Sequence, residues 1–126
     1  MRPTYHLVPA ETWAAVDRSA PYRAASLETE GFIHCTDGAA ALVATAERHY
    51  RADHRPFLAL TVDLDAVAAR WSIEDAAGIY PHVFGPIEPE AIRRVERMVR
   101  DESGAFTGLA PFEDPTRAAS DRTVPG

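Results

Sequence analysis

The pattern of apolar and polar positions along the chain predicts several short β-strands. Residues 4–8 alternate between polar and apolar side chains, and Pro9 ends this strand because it has no N–H to donate. Residues 57–63 form the most continuous apolar run, which is typical of a strand in the interior of a sheet. Residues 32–35 and 70–72 predict two shorter strands, the second at a sheet edge.

Two later segments carry mixed signals. Residues 80–87 contain a proline near each end, so we predict an extended segment that cannot be a regular central strand. Residues 91–100 fit a helix through the spacing of Val95 and Met98, and they also fit a strand by alternation. We favour the strand because residues 101–104 have the composition of a hairpin turn.

Helical spacing appears in two places. Residues 11–16 predict a short helix, and the alanine-rich residues 38–50 predict a longer one, which Thr36 or Asp37 would cap by accepting a hydrogen bond from its first turn. We interpret residues 17–29 between them as a loop.

These elements predict one compact α+β domain over residues 1–112, with a mostly antiparallel sheet flanked by two or three helices. Residues 113–126 lack apolar periodicity and contain several Pro, Ser and Gly residues, so we expect a flexible C-terminal tail.

The composition is that of a folded cytoplasmic protein. Hydrophobic residues make up 46% and charged residues 25% of the 126 positions, and there is neither a membrane-spanning run nor a signal-peptide pattern at the start. A net charge of -6 without any lysine argues against nucleic-acid binding, although a few arginines could hold one anionic nucleotide. The single cysteine, Cys35, is expected to pack as a small buried residue.

Three of the five histidines lie in contexts that suggest a functional site. His6 lies within the first strand, His34 in the short apolar strand, and His82 in the proline-flanked segment. On neighbouring strands they would form an acid-base or ligand-orienting set, because histidine changes its proton state near neutral pH. The alternative is that each is a partly buried histidine bonded to a backbone carbonyl.

Other candidate sites have less support in the sequence. His49 and His54 follow the long helix, where cations favour the helix dipole, and we interpret both as structural. Asp63 is interpreted as a cap for the turn that follows its strand. The sequence has no pair of histidines three or four residues apart, which would indicate a metal site on a helix, and no glycine-rich phosphate loop. A Cys35–His34 nucleophile is disfavoured because adjacent strand residues point to opposite faces.

A set of motifs in this chain resembles a known family. The segments are Tyr5-His-Leu7, Tyr22, Glu30-Gly-Phe-Ile-His-Cys-Thr36, Leu60-Thr-Val-Asp63, Trp71 and Pro81-His-Val-Phe-Gly-Pro-Ile87. In this order they are similar to the bacterial and plant family called domain of unknown function 952, over residues 4–112.

That resemblance implies a split-sheet fold like that of ADP-ribosyltransferases and RNA 2'-phosphotransferases, which bind NAD or an ADP-ribosylated intermediate between two small sheets. His6 matches the position of the histidine that holds a ribose. His34 falls near the place of an aromatic residue that stacks on nicotinamide. The glutamate that polarises the ribose has no clear counterpart: Glu74 is displaced relative to Trp71, and Glu96 serves only if its segment is a strand facing inward.

The leading hypothesis is therefore a cleft that binds NAD or a nucleotide-like molecule, as a ligand or as the substrate of a transferase. We expect His6, His34 and His82 as the catalytic set, with Arg23 as the cation for a phosphate. The expected ligand contacts are Tyr22, Arg23, Phe32, Thr36, Trp71 and Phe84.

Two other classes of function stay open. One is an isomerase, dehydratase or cyclase that uses the same histidines in a closed apolar pocket lined by Trp13, Phe32, Trp71 and Phe84. The other is a ligand-binding module without catalysis. A dimer is neither required nor indicated by the sequence.

Overall fold

The computed structural model describes residues 1–113, which form two antiparallel sheets and three short helices. The first sheet has the order β1-β3-β6-β7, with β1 at Pro3–Pro9, β3 at Phe57–Asp63, β6 at Ile92–Arg100 and β7 at Phe106–Pro111. The second has the order β2-β5-β4, with β2 at Ile33–His34, β5 at Pro81–Val83 and β4 at Trp71–Ile73. The helices are α1 at Ala10–Ala14, α2 at Ala25–Thr29 and α3 at Ala39–Tyr50. The α+β class and the mostly antiparallel pairing are confirmed, whereas the predicted tail lies outside the described residues from position 114 onward.

The central strand β3 divides the core into two halves. Leu58, Leu60 and Val62 pack into the larger cluster, to which both sheets contribute. Phe57 and Ala59 pack on the opposite face, against α3 and β7. Successive strand residues point to opposite faces, so an uninterrupted apolar run lets one strand supply both clusters. The predicted interior position of this strand is confirmed.

Helix α3 packs on the outer face of the first sheet through residues one turn apart. Leu42 and Ala46 are both buried in the cluster that contains Phe106. The predicted cap is wrong, because Gly38 occupies the N-cap position and no side chain closes the first turn. Asp37 instead binds the guanidinium of Arg2 at 2.7 Å, a partner that the local sequence does not indicate.

The two sheets are joined by two backbone hydrogen bonds. Tyr5 N–H donates to the Thr36 carbonyl at 2.9 Å, and Thr36 N–H donates to the Tyr5 carbonyl at 2.8 Å. Beyond this pair the chain of β2 turns away from β1 and pairs with β5 instead. The sheets therefore diverge from one point, and a cleft opens beside the outer edge of β1.

Two sequence-based expectations for local structure are wrong. The predicted loop over residues 17–29 contains α2, which has no fully buried residue and so left no apolar periodicity to detect. The segment at residues 80–87 does contain a central strand, β5. Pro81 is the first residue of that strand, where a proline is tolerated, and Pro86 lies beyond its end.

The strand interpretation of the last ambiguous segment is confirmed. Strand β6 pairs with β7 through a turn in which Gly104 N–H donates to the Asp101 carbonyl at 3.0 Å. The Asp101 carboxylate also accepts from the N–H of Ser103 at 2.9 Å. The prediction of a strand over residues 91–100, based on the turn composition of residues 101–104, is therefore correct.

Replacing Gly38 by alanine should destabilise the fold through backbone strain alone. Its φ of 88° and ψ of 143° lie in a region essentially restricted to glycine, although a Cβ there would meet nothing within 4 Å. We expect Gly38→Ala to lower the free energy of unfolding by about 1–3 kcal/mol in urea denaturation. Gly108→Ala is the matched control, since that position also has open space but no positive φ. Equal stability of the two variants would contradict this explanation.

Candidate functional site

A cavity of about 850 Å³ opens where the two sheets diverge. Its walls are the outer edge of β1, the segment from Tyr22 to Ser26, the end of β2 and the last turns of α3. Four of the five histidines line it, namely His6, His34, His49 and His82. The volume falls within the range of ordinary small-molecule sites.

His6 is buried in the wall of this cavity with both ring nitrogens bonded. Its Nδ1 lies 2.7 Å from the His34 carbonyl oxygen and its Nε2 lies 2.8 Å from the Tyr22 hydroxyl. Because a carbonyl only accepts, Nδ1 carries the hydrogen and Nε2 accepts from the phenol. Burial lowers the pKa of His6 to about 4, against the opposing effect of the hydrogen bond to His34. The imidazole is therefore neutral around pH 7, and it ties β1 to β2 and to the Tyr22 segment.

Tyr22 is held in place at both its backbone and its ring. Its N–H donates to the Ile87 carbonyl at 2.7 Å, and its carbonyl accepts from the N–H of Ile87 at 2.9 Å. The ring meets Trp13 edge-on at 5.9 Å between centroids. Burial raises the pKa of Tyr22, so the phenol keeps its hydrogen and donates it to His6. The hydroxyl oxygen keeps its capacity to accept a hydrogen bond, and the residue lines the cavity although it is largely buried.

His34 and His82 face one another across β2 and β5. They are register partners, and their ring centroids lie 5.8 Å apart. His34 Nε2 lies 2.9 Å from a carboxylate oxygen of Glu30, which precedes it by four residues. His82 stacks on Phe32 at 4.0 Å between centroids, and no group among residues 1–113 hydrogen-bonds its ring nitrogens. Neither residue is fully buried, and each ring keeps at least one nitrogen without a hydrogen-bond partner among residues 1–113.

The outer edge of β1 contributes to the cavity backbone groups that have no partner among residues 1–113. Tyr5 directs its N–H and carbonyl toward Thr36, away from β3. Antiparallel pairing alternates along a strand, so Leu7 points its own N–H and carbonyl in the same direction. Leu7 lines the cavity, and no backbone partner faces it across this edge within the described residues. One donor and one acceptor thus stand side by side on a rigid strand.

The predicted site residues are divided between two locations. His6, His34, His82, Tyr22 and Thr36 line the cavity. The others lie away from it: Arg23 pairs with Glu28 at 2.9 Å, Phe32 lies behind His82, Trp71 lies beneath Arg2, and Phe84 lies beneath Arg70.

The acids singled out from the sequence do not line the cavity. Glu96 lies on a strand, as the resemblance required, but its Oε1 is buried without a hydrogen-bond partner. Glu74 is exposed and accepts from the Ser72 hydroxyl at 3.2 Å. Asp63 caps the following turn by accepting from the N–H of Asp65 at 3.0 Å, and Arg93 neutralises it, so its structural interpretation is confirmed. The carboxylates that do reach the cavity are Glu30 and Asp75.

Sequence reasoning missed a second group of cavity residues on the far wall. Thr45 and Arg48 lie three residues apart on α3, and Tyr80 precedes β5. Arg48 Nη2 donates to the Tyr80 hydroxyl at 3.0 Å. The three-residue spacing placed Thr45 and Arg48 on one helix face and was the available signal, but nothing in the sequence linked that face to Tyr80.

Cys35 is buried as expected, and burial raises the pKa of its thiol to about 12. Among residues 1–113, no group of three or more His, Cys, Asp or Glu side chains is arranged to hold a metal ion. No helix in that part of the chain has both the length and the apolar character needed to cross a bilayer.

Comparison with known proteins identifies the family and a related fold. The model of the family described as Protein of unknown function (DUF952) matches residues 7–95. The crystal structure of protein CC0527 from Caulobacter crescentus is similar with a TM-score of 0.68 and 19% identity, covering 83% of this chain and 93% of that chain. The solution structure of the same protein gives a TM-score of 0.63 and 20% identity, covering 82% and 90%. No curated protein matches this chain.

Protonation of His6 should make the fold sensitive to acid. The pKa of His6 is about 4 in the folded protein and 6.5 in its ordinary state. Between these two values the unfolded chain is protonated at His6 and the native protein is not. Stability is then complete above the ordinary pKa and falls as the pH drops toward the folded pKa. We expect the free energy of unfolding to fall by about 2 kcal/mol between about pH 7.5 and about pH 5 in urea denaturation.

His6→Gln should lose that dependence, since an amide does not titrate but can still hydrogen-bond. His54→Gln is the control, because His54 is exposed and lies outside the cavity. An unchanged acid slope in His6→Gln would show that another group is responsible.

Proposed function

This chain belongs to the family Protein of unknown function (DUF952), and we propose that the cleft between its two sheets binds a nucleotide-like small molecule, with NAD as the first candidate. The observation that carries the proposal is the open edge of β1 beside the His6–Tyr22 pair. A strand whose edge groups have no partner among residues 1–113, next to a neutral phenol and two accessible imidazoles, suits a polar ring system that offers both a donor and an acceptor.

The backbone of Leu7 supports a ligand that contains an amide or a base edge. Its N–H and carbonyl offer one donor and one acceptor, the complement of a carboxamide such as that of nicotinamide. Backbone groups on a strand lose no side-chain freedom on binding, so the recognition costs little entropy. The same pair would also fit the edge of a nucleobase.

His6 has a positioning role in this proposal. Both of its nitrogens are occupied, and its pKa of about 4 makes it a poor base at neutral pH. It fixes Tyr22, whose oxygen accepts a hydrogen bond from a ribose hydroxyl. His34 and His82 border the same cavity and supply the rings that can stack on the ligand or exchange a proton with it.

A transferase activity on NAD would need an acid near the ribose. Glu96 and Glu74, the residues that the ADP-ribosyltransferase resemblance suggested, lie outside the cavity lining. Glu30 lines it and hydrogen-bonds His34 at 2.9 Å. If the bound molecule reacts, the Glu30–His34 pair is the acid that would act on it.

The remaining alternatives differ in what they require of the cavity. An isomerase, dehydratase or cyclase was expected to use a closed apolar pocket, but Trp13, Phe32, Trp71 and Phe84 do not line this one. A binding module without catalysis needs the same cavity and the same contacts. Binding is therefore common to the proposal and to this alternative, and turnover separates them.

The proposal predicts a specific pattern of imidazole NMR shifts when the protein is titrated with NAD, ADP-ribose, AMP and adenosine. At least one nucleotide should shift the resonances of His34 and His82, while His54 stays unchanged because it lies outside the cavity. Tyr22→Phe should weaken that binding by about tenfold, since it removes the hydroxyl that would accept from the ligand and also the hydrogen bond that holds His6. Absence of shifts for the whole panel, or equal shifts at His54, would overturn the proposal.

A further inference from the structure

The far wall of the cavity carries an arginine that has no acidic partner among the described residues. Arg48 lies in the last turn of α3 and lines the cavity. Its guanidinium contacts the Tyr80 hydroxyl at 3.0 Å and His49 Nε2 at 3.4 Å. Within the described residues no carboxylate forms an ion pair with it. Arg48 is exposed at the border of the cavity, and several of its N–H donors have no partner among residues 1–113.

Neighbouring arginines are neutralised, which makes Arg48 distinctive. Arg55 also lines the cavity, but Glu11 and Asp53 each bind it at 2.8 Å and raise its pKa. Arg51, on the next turn of chain, is paired with Glu47 at 3.0 Å. A ligand anion would have to displace a carboxylate at either of these positions, but not at Arg48.

Tyr80 holds the Arg48 side chain in a defined place. The N–H of Tyr80 donates to the Asp75 carboxylate at 3.0 Å, and the N–H of Ile79 donates to its other oxygen at 3.1 Å. This turn fixes the tyrosine against α3, where the neighbouring Thr45 and Arg48 side chains lower the pKa of Tyr80. Because the guanidinium is already oriented, less side-chain entropy is lost when it binds an anion.

We propose that Arg48, positioned by Tyr80, is the anion subsite of this cleft and binds a phosphoryl group of the ligand. The planar guanidinium can offer two parallel N–H donors to two phosphate oxygens. This inference rests on the proposed function and gives the ligand a direction: its ring lies by Leu7 and its phosphate lies by α3. It replaces Arg23, whose guanidinium is paired with Glu28 outside the cavity.

A purely structural role for Arg48 makes a different prediction. A cation in the last turn of a helix favours the negative end of the helix dipole, and this would stabilise α3 without any ligand. In that case replacing Arg48 would change the stability of the protein and leave its affinity for anions unchanged. The two roles are therefore separable by measuring binding and stability on the same variants.

The test measures dissociation constants by calorimetry for ADP-ribose, adenosine and inorganic pyrophosphate. Arg48→Gln should weaken ADP-ribose and pyrophosphate by about tenfold or more and leave adenosine unchanged. Arg48→Lys keeps the charge but not the paired donors, so it should recover only part of the affinity. Tyr80→Phe should weaken ADP-ribose less than Arg48→Gln does, since it loosens the guanidinium without removing it.

Arg23→Gln is the matched control, because it removes the same charge from a position outside the cavity. Wild-type affinity for ADP-ribose in Arg48→Gln overturns the subsite and leaves the proposed function standing. Pyrophosphate binding that depends on Arg48, without binding of any nucleotide or nucleoside, keeps the subsite and overturns the proposed function. Failure of the wild-type protein to bind either ADP-ribose or pyrophosphate overturns the subsite as well.

Discussion

Two backbone hydrogen bonds between Tyr5 and Thr36 form the junction on which the site depends. They join the first sheet to the second at one residue pair, and the strands separate immediately afterwards. His6 reinforces that point with side-chain bonds to the His34 carbonyl and to Tyr22. If β1 continued to pair with the chain around Thr36, the two sheets would merge into one and the backbone N–H and carbonyl of Leu7 would be hydrogen-bonded. The cleft exists because this pairing stops after one residue pair.

The strands could be predicted from the sequence because the order of apolar and polar residues follows the burial of each strand. The apolar run of β3 serves two cores, and the turn at Asp101 decides for β6 against a helix. The errors arose where tertiary contacts outweigh local signals. Helix α2 buries no residue completely, and Asp37 is taken from its expected cap by Arg2, which is distant in sequence. The two prolines were expected to prevent a central strand anywhere in residues 80–87. Strand β5 occupies only three of these residues, Pro81–Val83.

The sequence pointed to three histidines of the candidate site, but it did not point to the charged residues of that site. His6, His34 and His82 stand out because a histidine within a strand is uncommon enough to notice, and all three line one cavity. Arg48 looked like any other helix arginine, since pairing depends on carboxylates that folding brings near. The sequence could also not show that both ring nitrogens of His6 are hydrogen-bonded within the fold, to the His34 carbonyl and the Tyr22 hydroxyl. The proposed chemistry of the site therefore rests on the His34 and His82 rings and on Arg48, which has no acidic partner among residues 1–113.

The position of Cys35 gives this protein a built-in reporter of its own motion. The thiol is 3% exposed and lies directly before the junction residue Thr36, in a chain with no second cysteine. Cys35 also borders the cavity, so a thiol reagent that enters the cleft reaches the sulfur only when local motion uncovers it. The rate of modification under native conditions would therefore report how often the wall of the cleft opens beside the junction, and a molecule bound in the cleft would slow it.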